Sequence, residues 1–150
     1  MKKLVISLFF ILLAFPFFAQ QDKKVLYKQD LAVTALLHPA AKDNVFTTHD
    51  TVRVLIKNMG SQAIMRNFKV IMEAGDELPC TVLVKAEDHP FPADSTQVIA
   101  FCTVDLSTAT KWTIRITCDL PGDEDLTNNT RTFTVCSRSF RQDSRKVVDR

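Results

Sequence analysis

The stretch WTIRITCDLPGDEDLTNNTRTFTV, residues 112–135, decides the fold of this chain. Trp112, Ile114, Ile116 and Cys118 alternate with Thr113, Arg115 and Thr117, so an extended segment has one apolar and one polar side. Successive side chains leave a strand on opposite faces, and a repeat of two therefore marks a half-buried strand. In the loop DLPGDEDLTNN (119–129), Pro121 and Gly122 set turn angles while Asp and Asn side chains bond nearby backbone amides. Beyond it Phe133 and Val135 point to the apolar side and Thr130, Thr132 and Thr134 away from it. The stretch predicts an antiparallel hairpin with one buried face.

The same alternation recurs upstream, in runs rich in Val, Ile, Thr and Phe separated by Asn, Asp, Pro or Gly. It predicts strands at 30–37, 51–58, 66–73, 81–87, 95–104, 111–118 and 128–136. Val52, Val54 and Ile56 face inward on the second, with Arg53 and Lys57 outward; Phe68, Val70 and Met72 face inward on the third. No helical stripe competes, and a short helix fits only the tail. Seven antiparallel strands with one wet face each can hide their apolar residues only by packing two sheets together. The expected fold is an all-β, seven-stranded, immunoglobulin-like β-sandwich over residues 30–136.

The ends read differently. MKKLVISLFFILLAFPFFAQ (1–20) has two lysines, an uncharged apolar run over 4–18 and Ala19 near a plausible cut, the three parts of a secretory signal peptide. The run is too short for a spanning helix and contains Pro16, so no stable membrane insertion is expected after cleavage. Residues 21–29 read as a linker, and the basic end SRSFRQDSRKVVDR (137–150) as a disordered tail. The whole chain has 19 basic and 17 acidic residues, and Lys2 and Lys3 leave with the signal, so the exported part carries no net charge. Within it the body over 30–136 is acidic and the flanks basic, which argues against nucleic acid as a partner.

The strand opening DLAVTALL (30–37), the segment VRVLIKNMGSQAI (52–64) and the closing hairpin together resemble the CARDB module, a bacterial adhesion-related, immunoglobulin-like domain similar to fibronectin type III domains. The second segment is similar to the family habit of a strand ending Lys-Asn-x-Gly, here Lys57, Asn58 and Gly60; the third, to an acidic loop ending in paired asparagines, here Asn128 and Asn129. The resemblance implies a sandwich and a role in surface contacts. Two features depart from it: one copy stands where tandem arrays are usual, and the loop that usually presents Pro-Gly-Asp reads Pro92, Ala93, Asp94, Ser95.

Four cysteines, Cys80, Cys102, Cys118 and Cys136, lie in the exported part, where disulfides persist. If strands 81–87 and 95–104 form a hairpin about residue 91, Cys80 and Cys102 stand opposite each other and pair. Cys118 and Cys136 remain for a second bridge across the last hairpin, although a turn near residue 124 sets Cys118 opposite Arg131. No Cys-x-x-Cys spacing supports zinc. Asp119, Asp123, Glu124 and Asp125 supply oxygens of the kind calcium accepts, but without the spacing of a helix-loop-helix site, and a solvated turn is the expected role. His38, His49 and His89 fall at loop edges without metal-ligand spacing. No nucleophile elbow and no Gly-rich phosphate loop occurs. The sequon Asn128-Asn129-Thr130 is taken as a coincidence of strand sequence.

These readings point to an exported, non-catalytic binding or scaffold module of the cell envelope or surface, periplasmic or extracellular, with no cofactor. Its expected partner is another envelope or surface protein, met through strand edges or through the loops at 38–49, 87–95 and the acidic hairpin. A carbohydrate-binding accessory role is the alternative. It is limited by aromatics: Trp112 shares the parity of Ile114 and Ile116, which leaves Phe46, Phe91 and Phe140 in loops or tail.

Overall fold

The computed structural model describes residues 26–41 and 44–138. The segment read as a signal peptide, most of that read as a linker and the part of the expected tail beyond residue 138 lie outside the described residues. Seven strands follow in order: β1 (Leu31–His38), β2 (Asp50–Asn58), β3 (Phe68–Ala74), β4 (Cys80–Val84), β5 (Thr96–Val104), β6 (Lys111–Asp119) and β7 (Thr130–Cys136). They form two antiparallel sheets, one ordered β1-β2-β5 and the other β4-β3-β6-β7. This is the expected sandwich, and its strands start and stop close to where the alternation of the sequence does.

Face assignment follows the pleat. Val52, Val54 and Ile56 of β2, Phe68, Val70 and Met72 of β3, and Ile114, Ile116 and Cys118 of β6 are all buried between the sheets. β5 places Ile99 and Phe101 inward, then Val104 three residues on, because a bulge interrupts its register with β2 between Thr51 and Arg53. Trp112 packs half-buried against this core, and its indole Nε1 donates to the Leu106 carbonyl at 2.8 Å. Its ring lies over Gly75, where a Cβ would sit 2.8 Å from it on a backbone with φ of +55°. Only glycine suits that position.

One expectation is corrected. Strands β4 and β5 are not a hairpin: β4 pairs with β3 and β5 with β2, so the chain changes sheets through residues 85–95. A β4–β5 hairpin would leave β5 unable to extend the sheet that β2 nucleates, and the connector is built to cross. Phe91 is a plug in the core, its ring 6.3 Å from that of Phe68, while its backbone exchanges two 2.9 Å hydrogen bonds with Ile64. At residues 92–95 the turn takes Asp94 into the left-handed region at φ 56°, a conformation Asp tolerates better than most residues.

Asn58 ties this crossing to the rest. Its side chain is fully buried; Nδ2 donates to the carbonyls of Gln62, Phe91 and Pro92 at 2.9–3.1 Å, and Oδ1 accepts from the Gly60 amide at 3.0 Å. The turn it closes passes so near the incoming chain that a Cβ on Gly60 would lie 2.5 Å from the Lys28 carbonyl oxygen. That approach lets Met59 and Gly60 donate to the Asp30 carbonyl, Ser61 to that of Tyr27 and Gln62 to that of Lys28. The segment read as a linker is therefore docked from Tyr27 onward.

Asn58→Ala removes four hydrogen bonds; the Gln62 carbonyl loses its partner among the described residues, while the Phe91 and Pro92 carbonyls keep bonds from Ile64 and Ser95 and the Gly60 amide keeps its bond to Asp30. At about 0.5–1.5 kcal/mol for each bond lost, the expected loss is about 3 kcal/mol, or roughly 10 °C in melting temperature. Thermal unfolding by circular dichroism measures it; a change within a degree or two contradicts this account of the Asn58 network.

Candidate functional site

The acidic loop is the first place to look for chemistry, and its carboxylates turn inward to the protein's own backbone. Asp123 Oδ2 accepts from the Leu31 amide at 2.9 Å and Oδ1 from the Asp125 amide at 2.9 Å. Asp125 Oδ1 accepts from the amide and hydroxyl of Thr127, and Glu124 Oε2 from the Lys28 amide at 3.0 Å. The loop thus clamps the chain where it feeds β1. Asp119 sits apart, exposed at the end of β6 and opposite Lys69 of β3. Among the described residues no group of three His, Cys, Asp or Glu side chains is placed to hold a metal ion.

Asp30, which faces this clamp, was not singled out in the sequence. It is buried, and Asn128 Nδ2 donates to its Oδ1 at 2.8 Å while also reaching Asp125. Burial raises its pKa above the ordinary 3.8; the Asn128 hydrogen bond works against that, and the charges of Asp123, Asp125 and Glu124 reinforce it. The signal for its role was the pairing of an Asp just before the first strand with two asparagines just before the last. The amide oxygens Oδ1 of Asn128 and Asn129 are buried and find no hydrogen-bond partner among the described residues.

The cysteines divide. Cys80 and Cys102 are bonded, with their Cα atoms 6.4 Å apart. The bridge joins the outer strand of one sheet to the outer strand of the other, not two strands of a hairpin. Cys118 and Cys136 are free, which corrects the expected second bridge. Cys136 stands opposite Lys111, seven residues before Cys118 on β6, so the two are roughly 24 Å apart at the rise of a strand. A disulfide needs Cα atoms within about 7 Å. Burial, with a smaller contribution from the Asp123 charge, pushes the Cys118 thiol up to about 12.

The remaining candidates scatter. His38 Nε2 lies 3.9 Å from Asp50, His49 Nδ1 bonds the Thr48 hydroxyl at 2.8 Å, and His89 is in the sheet-changing connector. Phe91, read from sequence as a loop aromatic, is buried; Phe46 is half-buried against the core; Phe140 lies outside the described residues.

What distinguishes one surface from another is how the sandwich closes at its two long sides. On one side β1 and β7 clasp: Val33 N–H donates to the Asn128 carbonyl at 3.2 Å, and the Arg131 guanidinium, lying over Phe133, donates to the Thr34 carbonyl. On the other side β4 and β5 are joined at Cys80 and Cys102, by the disulfide and by the Cys102 N–H donating to Cys80 Sγ at 3.2 Å, and beyond that junction they part around a groove of about 660 Å³, lined by Val82, Val84, Pro90 and Val98 among others. Leu83 and Val98 expose half of their surface there. The disulfide closes one end of this groove and the 85–95 connector the other.

No protein-family model matches the sequence, and no curated protein matches it. Solved structures do. The chain is similar to a domain (272–376) of a candidate cell surface protein from Methanosarcina acetivorans, at 20% identity over 74% of this chain and 93% of that one, with a TM-score of 0.57. It is similar to a CARDB domain from Pyrococcus furiosus solved in complex with di-metal ions, at 18% identity, 76% and 93% coverage and a TM-score of 0.55. The solution structure of that CARDB domain agrees, at 20% identity, 75% and 97% coverage and 0.53. The fold is therefore the CARDB-type sandwich that the sequence resembles.

Two measurements follow from the site. Alkylation of the native, non-reduced protein should label Cys136 and spare Cys118, with mass spectrometry finding Cys80 linked to Cys102; reduction should cost about 3 kcal/mol of stability. Free thiols at Cys80 and Cys102 before reduction would overturn the bridge. For Asp30, a pKa raised in the folded state means a stabilising contribution that is full below 3.8 and lost as pH rises through the folded value. Asp30→Asn keeps an acceptor for Asn128 without the charge. Wild type should therefore lose stability relative to this variant between about pH 3 and pH 7, read by urea denaturation at both; a pH-independent difference contradicts it.

Proposed function

We propose that this chain is an exported, non-catalytic binding or scaffold module of the cell envelope or surface, working through protein–protein contacts. The observation that carries the reading is the unequal closure of the sandwich: one long side is clasped by β1 and β7, and the other leaves two strand edges and half-exposed apolar side chains around an open groove. Free edges of this kind are where extended partners add to sheets. The leader-like first twenty residues support export, and a disulfide suits an oxidising compartment. The structural likeness to a candidate cell surface protein domain and to CARDB domains, none described as an enzyme, supports a surface-associated role. Against the carbohydrate alternative stands the use of its aromatics: Phe91 fills the core and Trp112 is fastened to Leu106.

Crosslinking of the mature protein in its native cell envelope tests the proposal. Crosslinks to protein that map to β4, β5 or residues 85–95 are the expected result. A protein that crosslinks to no polypeptide, itself included, and that is retained by an immobilised glycan would replace this reading with the carbohydrate one.

A further inference from the structure

The bridge between Cys80 and Cys102 stands where little else holds the chain together. β4 and β5 belong to different sheets, and among the described residues no ladder joins them. At this end they are connected by the disulfide and by the single N–H···S bond from Cys102 to Cys80. β4 is also the weakest-rooted strand: it has five residues, pairs only with β3 and carries no fully buried side chain. Its Val82 and Val84 pack partly buried against a core whose fully buried members come from other segments. Releasing β4 from β5 therefore uncovers little apolar surface, and segments of that kind open locally at low cost.

The same bridge is open to attack. Cys102 is exposed, Cys80 is half-buried, and residues 75–79, which lead into β4, are all exposed. Thiol–disulfide exchange needs an approaching thiolate and a sulfur able to leave with the negative charge. The geometry distinguishes the two sulfurs. Cys102 is the more accessible, whereas Cys80 Sγ has the Cys102 N–H aimed at it, and a donor to a sulfur favours its thiolate. Neither free thiol competes for the bridge. Cys118 is buried on β6 with its thiol pushed up to about 12, and Cys136 lies on β7, at the opposite edge of that sheet from β4.

We propose that the Cys80–Cys102 bridge is a thiol–disulfide switch that sets how far the β4–β5 groove opens, worked by a protein dithiol outside the cytoplasm. A thiolate of the dithiol attacks Cys102 Sγ, the bond between Cys102 and Cys80 breaks, and Cys80 leaves as a thiolate that takes up a proton. The second thiol of the dithiol gives up its proton and attacks the mixed disulfide, and Cys102 leaves as a thiolate that is protonated in turn. The domain gains two electrons and two protons, the dithiol ends as a disulfide, and the reverse sequence closes the bridge. Once it is open, the groove of about 660 Å³ loses the end that the disulfide fixes, and β4 is free to part from β5. Resting on the reading of this side as the binding side, the switch adds what regulates it.

Hydrogen exchange read by mass spectrometry on the mature full-length chain, oxidised and after dithiothreitol under native conditions, is the test. Reduction should speed exchange over residues 80–95 by about tenfold or more and leave β2 and β6 protected. Dithiothreitol should reduce the native protein at a rate that urea does not change well below the unfolding transition, because the sulfurs are reached without unfolding. Cys80→Ser combined with Cys102→Ser should exchange as reduced wild type does and be indifferent to reductant. Exchange that is unchanged on reduction, or raised evenly over both sheets, overturns the switch. So does a reduction rate that climbs with urea in step with global unfolding, the behaviour of a purely structural bridge. Crosslinking in the native envelope separates this from the binding reading: crosslinks at β4, β5 or residues 85–95 should differ severalfold between wild type and the double serine variant. Identical crosslinks overturn the switch and leave the binding reading standing; no crosslink in either protein defeats the binding reading, while the exchange result still decides the switch.

Discussion

The buried carboxamide of Asn58 is the interaction on which the arrangement depends. An Asn with no exposed surface would ordinarily be a cost, since burying an amide without partners is unfavourable by several kcal/mol. Here all of its donating capacity goes to carbonyls of two separate segments, and its oxygen takes the amide of the turn it begins. The two segments are the turn after β2 and the connector that carries the chain from one sheet to the other. One side chain therefore decides where β2 ends, where Phe91 enters the core, and how closely Tyr27 to Asp30 can approach. The requirement for glycine at position 60 follows from the same geometry, because the closed turn leaves no room for a Cβ.

The strands were legible because β2, β3 and β6 alternate buried and more exposed residues over seven to nine positions; in β1 and β5 the bulges blur that alternation, and β4 has five residues. The Lys-Asn-x-Gly and Asn-Asn patterns were legible as marks of a family but not as physics. Their meaning, a three-carbonyl cradle and a bond to Asp30, depends on segments 33 and 98 residues away. Sheet membership was illegible for a similar reason. Spacing along the chain cannot distinguish a hairpin from a crossing when the connector is about ten residues long, and it was Phe91, which looked like a loop residue, that held the difference. Cys80 and Cys102 stood out as a pair under an incorrect hairpin geometry; the strands that bear them lie on the same long side of the sandwich in different sheets.

The acidic hairpin shows how composition can mislead about chemistry. Three carboxylates within three consecutive residues suggest a cation, yet their oxygens accept backbone amides from Lys28, Leu31, Asp125 and Thr127. The loop is acidic because amides at the start of β1 need acceptors, and carboxylates make the stronger bonds. The cost falls on Asp30, whose own carboxyl must share the space with three neighbouring charges.

The clasp between β1 and β7 also determines how the domain bears load. The chain arrives at Tyr27 beside the acidic hairpin, and leaves at Arg138 beside Asn44 and Thr110, at the opposite end of the sandwich. β1 and β7 both run from the first end toward the second. Tension between the two ends of the domain is therefore directed along these strands, and it would slide them past each other instead of peeling one away. Contacts that lie across the direction of pull, such as Val33 to Asn128 and Arg131 to Thr34, must then yield together. Such a sandwich resists stretching as a lap joint does.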